Sequence, residues 1–188
     1  MSRQTYSAYD PKGRRKYLTP EEGKQFLKST RMLPSDEALF CRVIYYTGMR
    51  ISEALALTAH DLDFSTATVR IRSLKKRQHV EYRRIPVPDE LVSELRKLTD
   101  NRAEDRLWAF SRTTGWRVIK RVMQQAGVSG IHATTKGLRH AFGVRGAMAQ
   151  VPLNILQLWF GHSQSATTAI YLNVKDDEER ELIKRTWK

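Results

Sequence analysis

The chain has 188 residues, with 33 Lys and Arg against 20 Asp and Glu, which gives a formal net charge of +13. Such an excess favours an extended anionic partner, above all nucleic acid, because Lys and Arg displace the counterions of a phosphate backbone. The length suits one domain with a sizeable core, no apolar run approaches the roughly 18 residues of a membrane-spanning helix, and no signal-peptide core is present. The single cysteine excludes an internal disulfide and forms no zinc spacing with the five histidines, so we expect a reducing, cytoplasmic compartment.

The first third of the chain predicts a basic arm followed by helices. Residues 1–18 are polar and basic without periodicity, and we interpret them as a flexible arm suited to lie along DNA. A capping box at Thr19-Pro20-Glu21-Glu22 begins the first helix, and Ser35 is the predicted cap of the second, which ends at Thr47-Gly48. Arg50 follows this turn and precedes a short helix of sequence ISEALAL.

From residue 68 the period of the hydrophobic pattern changes to two. The segments TVRIRSL and VEYRRIPVP alternate and contain many β-branched residues, with the basic run Lys75-Lys76-Arg77-Gln78-His79 between them. This pattern predicts a β-hairpin with a basic tip. Apolar spacings of three and four then predict five more helices, which begin near Asp89, Trp116, Lys136, Pro152 and Ser165. The expected fold is a single domain that is mainly α with a small antiparallel β-sheet (α+β).

Several basic side chains have both a structural and a chemical interpretation. Arg50 leaves a glycine-containing turn toward a surface groove, or else it is a surface cation paired with Glu53 at helical spacing. Lys75 and Lys76, taken alone, belong to a solvated turn. Arg139 lies at the edge of a buried apolar stripe, where it needs a partner that either a carboxylate or a phosphate supplies.

A histidine and a tyrosine near the end of the chain extend this set. His162 follows Gly161 in a loop, and Tyr171 lies between two aliphatic residues. Taken singly, such a histidine is more often structural and such a tyrosine more often belongs to a core. Together with two arginines and a lysine, they suffice for phosphoryl transfer without a metal. The set holds a nucleophile, guanidinium donors for the phosphate oxygens and an acid for the leaving oxygen.

Four motifs, taken in order, resemble the tyrosine recombinases of the phage integrase family. TGMRISEAL resembles the first arginine motif and SLKKRQHVEYRRIPVP the lysine-bearing hairpin. KGLRHAFGV resembles the second arginine motif, and WFGHSQSATTAIY the closing Gly-His and Tyr motif. The motifs extend over residues 19–174, which we expect to form a catalytic domain of the tyrosine-recombinase type. Each motif alone is weak, but four in the family order are specific.

The resemblance implies a site-specific recombinase that cleaves and rejoins double-stranded DNA through a 3′-phosphotyrosyl intermediate. It implies neither a metal nor ATP nor another cofactor. Tyr171 is then the nucleophile, and Arg50 and Arg139 hold the scissile phosphate. His162 hydrogen-bonds a non-bridging oxygen, and Lys75 is the preferred general acid.

The resemblance gives further residues supporting roles. Lys76 is the alternative general acid, and Glu53 orients Arg50 without contacting the phosphate itself. Lys136 stands where the family usually has histidine, and it is able to donate to the phosphate but is a poorer general base at neutral pH. His140 faces about 100° away from Arg139 on the helix, so we do not expect it to take the place of the missing histidine.

The resemblance also implies a homotetramer on DNA, with accessory DNA-bending proteins as further partners, encoded by a bacterial chromosome, phage or plasmid and acting in the nucleoid. Residues 175–188 are expected to pack on a neighbouring protomer. Family members usually carry a helical N-terminal domain, so the chain is either a minimal recombinase or the catalytic part of one. Three alternatives stay open at this point: a type IB topoisomerase, a non-catalytic basic DNA-binding regulator, and a nucleic-acid coating protein.

Overall fold

The computed structural model describes residues 7–73, 81–99, 106–161 and 166–170. Within these ranges the chain forms eight α-helices and one three-stranded sheet, which confirms the predicted fold class. The helices are α1 (Pro20–Thr30), α2 (Ser35–Thr47), α3 (Ile51–Leu55), α4 (Asp89–Thr99), α5 (Arg112–Gln125), α6 (Thr135–Met148), α7 (Leu153–Phe160) and α8 (Ala166–Ala169). None of the helices in the described ranges has the length and apolar character needed to cross a membrane.

The sheet contains the predicted hairpin and one further strand. Its strands, antiparallel and adjacent in chain order, are β1 (Leu62–Asp63), β2 (Thr68–Arg72) and β3 (Tyr82–Pro86). Val69 and Ile71 of β2 and Ile85 of β3 are buried in the core, as the alternation predicts. β1 has two residues, too few to show a period, and for that reason the sequence pattern does not predict it. The basic tip of the hairpin, residues 74–80, lies outside the described residues.

The core is built around α2, against which α1, α3, α4, α5 and α6 pack. Phe40, Cys41 and Ile44 of this helix are completely buried, and burial raises the pKa of the Cys41 thiol. Trp108 packs edge-to-face on Phe40, with ring centroids 5.5 Å apart, and its Nε1 donates to the carbonyl oxygen of Ala54 at 2.6 Å. This hydrogen bond ties the short helix α3 to the core.

Local capping explains where the first helices begin. The capping box of α1 is confirmed: Thr19 Oγ1 accepts from the backbone N–H of Glu22 at 3.2 Å, and the Glu22 carboxylate accepts from the N–H of Thr19 at 2.9 Å. The predicted cap of α2 is wrong. Ser35 is already the first helical residue, Pro34 occupies the cap position, and no side chain caps this end.

The later helices agree with the predicted pattern except at one boundary. α5 begins at Arg112 rather than at Trp116, because Ser111 Oγ accepts from the backbone N–H of Thr114 at 3.1 Å and starts the helix one turn earlier. α7 begins directly after Pro152, as predicted. Polar first turns carry no apolar period, and a pattern of apolar residues therefore misses them.

The predicted basic arm differs from the structure over the part that is described. Residues 7–18 fold into a tight turn, in which the Asp10 carboxylate accepts two backbone N–H groups at 2.8–2.9 Å. Tyr17 and Leu18, at the end of this segment, are buried in the core. The segment is therefore packed, and its turn is too short to show a period. Residues 1–6 lie outside the described residues.

The end of the chain is described only in part. The helix predicted from Ser165 begins at Ala166 as α8, and Thr168 and Ile170 are buried. Residues 162–165 and 171–188 lie outside the described residues, and with them the predicted segment 175–188.

Candidate active site

A glycine turn between α2 and α3 sets the position of Arg50. Gly48 ends α2 with φ +60°, and its N–H donates to the carbonyl oxygen of Ile44 at 2.9 Å. A Cβ at Gly48 would lie 2.6 Å from Cδ1 of Phe142, so α6 crosses the turn at a distance that only glycine permits. Arg50 then lies in extended conformation at the N-terminal end of α3 with its side chain half-buried.

The carboxylate of Glu53 is the anchor of this first arginine. It accepts the backbone N–H of Arg50 at 2.8 Å and Nη1 of the same residue at 2.9 Å. It also accepts Nη2 of Arg83, from β3, at 2.7 Å. Burial acts to raise the pKa of the Glu53 carboxyl, but the hydrogen bonds and charges of the two arginines outweigh it, so the pKa lies below its ordinary value. One ionised carboxylate therefore holds two guanidinium groups.

Arg139 reaches the same region from α6. Its Nη1 donates to the carbonyl oxygen of Gly48 at 2.7 Å, and its Nη2 donates to the carbonyl oxygen of Phe160 at 2.9 Å. Its Cζ also lies 4.6 Å from the centroid of the Phe160 ring. The anionic partner expected for this arginine is thus replaced, at these two donors, by backbone carbonyls. Arg139 connects the turn before Arg50 with the end of α7.

The C-terminal end of α7 is held by arginines on two of its carbonyls. The last carbonyls of a helix have no intrahelical donor and carry partial negative charge. Arg83 Nε donates to the carbonyl oxygen of Trp159 at 2.7 Å, and Arg139 Nη2 donates to that of Phe160. Gly161, with φ +61°, then ends the helix as predicted. The next residue along the chain is His162, so both arginines support the turn that leads to it.

The N-terminal end of α6 places positive charge close to Arg139. Thr134 caps the helix by accepting the N–H of Gly137 at 3.1 Å. Lys136, one turn before Arg139, is exposed. Burial, together with the charges of Lys136, Lys16 and Arg139, lowers the pKa of His140 to about 4. His140 is therefore neutral at physiological pH, in a region of positive potential.

The structure brings some of the sequence-predicted residues together. Arg50, Glu53 and Arg139 converge around the turn at Gly48, and Lys136 lies one helical turn away on α6. The other predicted site residues lie outside the described residues; they are Lys75, Lys76, His162 and Tyr171. Within the described ranges, no group of His, Cys, Asp and Glu side chains is arranged to hold a metal ion.

Sequence reasoning missed Arg83, although the signal was present. In YRRIP the period of two places Arg83 on the same face as Ile85, and both are buried. An arginine on the inward face of a half-buried strand requires a partner, because an unpaired buried charge is costly. The requirement does not say which partner, and the structure supplies Glu53, the acidic residue of the first arginine motif, together with the carbonyl of Trp159.

Solved structures share this fold. The crystal structure of XerA recombinase matches with a TM-score of 0.78 at 24% identity, over 92% of this chain and 65% of that one. A pre-cleavage complex of XerH site-specific recombinase bound to difH substrate matches with a TM-score of 0.75 at 20% identity, over 96% of this chain and 60% of that one. The fold is that of tyrosine-recombinase catalytic domains.

The family follows from the sequence match over most of the chain. The model of the phage integrase family matches residues 16–178, and the chain belongs to that family. Tyrosine recombinase XerA of Pyrococcus furiosus is 29% identical over 189 residues, which cover 93% of this chain and 63% of that protein. The chain thus spans a little under two thirds of the length of these relatives.

Proposed function

We propose that this chain cleaves and rejoins DNA as the catalytic part of a site-specific tyrosine recombinase. The observation that supports this best is the convergence of Arg50 and Arg139. They come from distant parts of the chain, yet Arg139 donates to the carbonyl of the turn that positions Arg50. Two guanidinium groups at one surface are suited to the non-bridging oxygens of a phosphodiester.

In the proposed reaction, the Tyr171 hydroxyl loses its proton to solvent as its oxygen attacks the scissile phosphorus. The bond from phosphorus to the 5′ oxygen breaks, a 3′-phosphotyrosyl bond forms, and Lys75, or else Lys76, protonates the leaving 5′ oxygen. Arg50 and Arg139 oppose the charge that builds up on the non-bridging oxygens, and His162 adds a hydrogen bond there. Attack by the 5′ hydroxyl of another strand on the phosphotyrosine reverses these steps and rejoins the DNA.

The remaining roles follow the same chemistry. The phosphotyrosyl bond conserves the energy of the broken phosphodiester, so the reaction needs neither ATP nor a metal. Lys136, exposed at the start of α6, donates to the phosphate or to the DNA backbone beside it. Glu53 keeps Arg50 oriented by accepting both its backbone and its side-chain N–H groups.

The proposed partner is double-stranded DNA. The net charge of +13 supports this, and the similar structure of XerH is a complex with its difH substrate. We propose that four protomers assemble on two recombination sites, with accessory DNA-bending proteins as further partners. DNA as the substrate and a single cysteine together support a cytoplasmic location.

The test is covalent capture on a nicked DNA substrate from which the cleaved fragment diffuses away, so that rejoining is blocked. Because the target sequence is unknown, the substrate is selected from a random pool by adduct formation with the wild-type chain. We expect a protein–DNA adduct on a denaturing gel in the presence of EDTA. Tyr171→Phe should abolish it. Tyr46→Phe, the same change in the groove between α1, α2 and α4, should leave it unchanged.

The outcome separates this function from its alternatives. DNA binding without an adduct, equal in wild type and Tyr171→Phe, would favour a non-catalytic regulator. An adduct accompanied by relaxation of supercoiled DNA without a sequence requirement would favour a type IB topoisomerase. A recombinase should instead form adducts on one selected sequence and join two such sites to each other.

A further inference from the structure

Arg83 is a buried arginine that links two parts of the candidate site. Its side chain is only 4% exposed, and its guanidinium donates to Glu53 and to the carbonyl oxygen of Trp159. The first contact joins β3 to the carboxylate that holds Arg50. The second joins β3 to the C-terminal end of α7. A planar fork with donors in several directions makes both contacts at once, which an ammonium group does not reproduce.

The positive charge of Arg83 makes the surroundings of Arg50 more favourable for an anion. An ion pair of Arg50 and Glu53 alone would have no net charge, and its carboxylate would compete with a phosphate for the guanidinium of Arg50. With Arg83 on the same carboxylate, the three groups carry a net charge of +1, which favours an anion beside Arg50. The Glu53 carboxylate also divides its hydrogen bonds between two arginines, at 2.9 Å to Arg50 Nη1 and 2.7 Å to Arg83 Nη2.

The packing of Arg83 gives it a second consequence, at the end of α7. A Cβ built on Gly161 would lie 3.5 Å from both Cδ and Nη1 of Arg83, so the arginine side chain lies directly against this glycine. Gly161 is in the left-handed conformation and ends α7. A change in the length or charge of residue 83 therefore acts on the cap of α7 as well as on Glu53.

We propose that Arg83 is a positioning residue for DNA cleavage, which holds Arg50 through Glu53 and aligns the end of α7 with it. This inference rests on the proposed function. Arg83 does not touch the phosphate in this arrangement, because its described donors are directed to Glu53 and to a backbone carbonyl. Its loss should slow the chemical step within the bound complex and leave DNA affinity nearly unchanged.

The test compares Arg83→Met, which keeps an unbranched apolar stem but removes the guanidinium group and its charge, with Arg145→Met as a matched control. Arg145 is also largely enclosed and donates to a backbone carbonyl, that of Tyr45, and it stacks on the ring of that tyrosine. Single-turnover adduct formation is measured at saturating protein on the nicked substrate and normalised to the folded fraction. We expect Arg83→Met to be slower by up to about 100-fold, as for a displacement of about 1 Å at a reacting centre, with the DNA Kd within about threefold of wild type. Arg145→Met should cleave within about threefold of wild type.

A double-mutant cycle shows whether Arg83 acts through Arg50. In an Arg50→Ala background, Arg83→Met should cost clearly less than in the wild-type background, because the part of its effect that passes through Arg50 is gone. Sulfur in place of the 5′ bridging oxygen, a better leaving group, keeps these slow rates measurable. Arg83→Lys keeps the charge and should recover part of the rate; if Arg83→Met does not fold, Arg83→Lys takes its place in the cycle.

Two results would overturn the inference. The first is wild-type cleavage per folded molecule in the Arg83 variant; the second is an equal loss with and without Arg50. The first would assign Arg83 to stability alone, and the second would show that Arg83 acts independently of Arg50 and therefore does not position it. These results are distinct from failure of the proposed function, because in that case the wild-type chain itself would form no adduct.

Discussion

The glycine turn before Arg50 gives a prediction whose magnitude follows from the structure. Gly48→Ala requires an L-residue at φ +60°, which costs about 1–2 kcal/mol. The new Cβ would also lie 2.6 Å from Phe142 Cδ1, and overpacking of this kind costs about 1–3 kcal/mol. The sum is about 2–5 kcal/mol. For a chain of this size it corresponds to a fall in Tm of about 4–20 °C.

Gly127→Ala is the matched control, because it separates the two contributions. Gly127 has a similar φ of +69°, and a Cβ there would meet no atom within 4 Å. It should therefore lose only the backbone part, about 1–2 kcal/mol. Both variants are compared with wild type by urea denaturation followed by circular dichroism. Equal losses in the two variants would refute the reasoning, because they would show that Phe142 moves aside without cost.

The same change should also affect the site. Arg139 Nη1 donates to the carbonyl oxygen of Gly48, so a displaced turn moves this acceptor and Arg50 together. We expect Gly48→Ala to form the covalent adduct more slowly per folded molecule, whereas Gly127→Ala should match wild type. Phe142→Leu, which shortens the facing side chain, should recover part of the stability of Gly48→Ala in a double-mutant cycle.

Three further predictions concern charge and hydrogen bonding. Glu53→Gln leaves two arginines around a neutral amide and should destabilise the fold by about 3–5 kcal/mol, measured by urea denaturation; a loss below about 1 kcal/mol would contradict the buried cluster. For Glu22, burial acts to raise the pKa, but Arg15 outweighs it and lowers the pKa to about 2, so its contribution is present above pH 4.5 and is lost as the pH falls toward 2. Glu22→Gln should flatten that part of the stability profile by about 1 kcal/mol after solvent screening, and an unchanged profile would refute this assignment. Trp108→Phe removes the indole donor of the Ala54 carbonyl, which still accepts the backbone N–H of Leu57 at 3.1 Å, and the lost hydrogen bond should cost about 0.5–1.5 kcal/mol. Trp116→Phe, at a half-exposed indole, should change stability by less than about 0.5 kcal/mol.

Much of the fold was predictable because its signals are local. The capping box at Thr19 and the period of two in β2 and β3 depend on residues close together in the chain, and both predictions are confirmed. So is Gly161, which ends α7 in the left-handed conformation. The predictions that failed concern short or polar segments, such as the first turn of α5 and the turn within residues 7–18. Such segments are fixed by a single hydrogen bond or by burial against the core, which leaves no repeating pattern.

The amino-acid sequence alone determined the family of the protein, because four motifs occur in the family order, and its net charge of +13 favours the nucleic-acid partner that we propose. It singled out Arg50 and Arg139 as candidate site residues, but it did not show what holds them. Arg139 donates a hydrogen bond to Gly48, 91 residues away in the sequence. Arg83 donates to Glu53 and to Trp159, which are 30 and 76 residues away. Only the tertiary structure decided these contacts. They depend on how α6 packs on α2 and how α7 packs on α6 and β3. The alternation in β3 requires a buried partner for Arg83 without specifying which one.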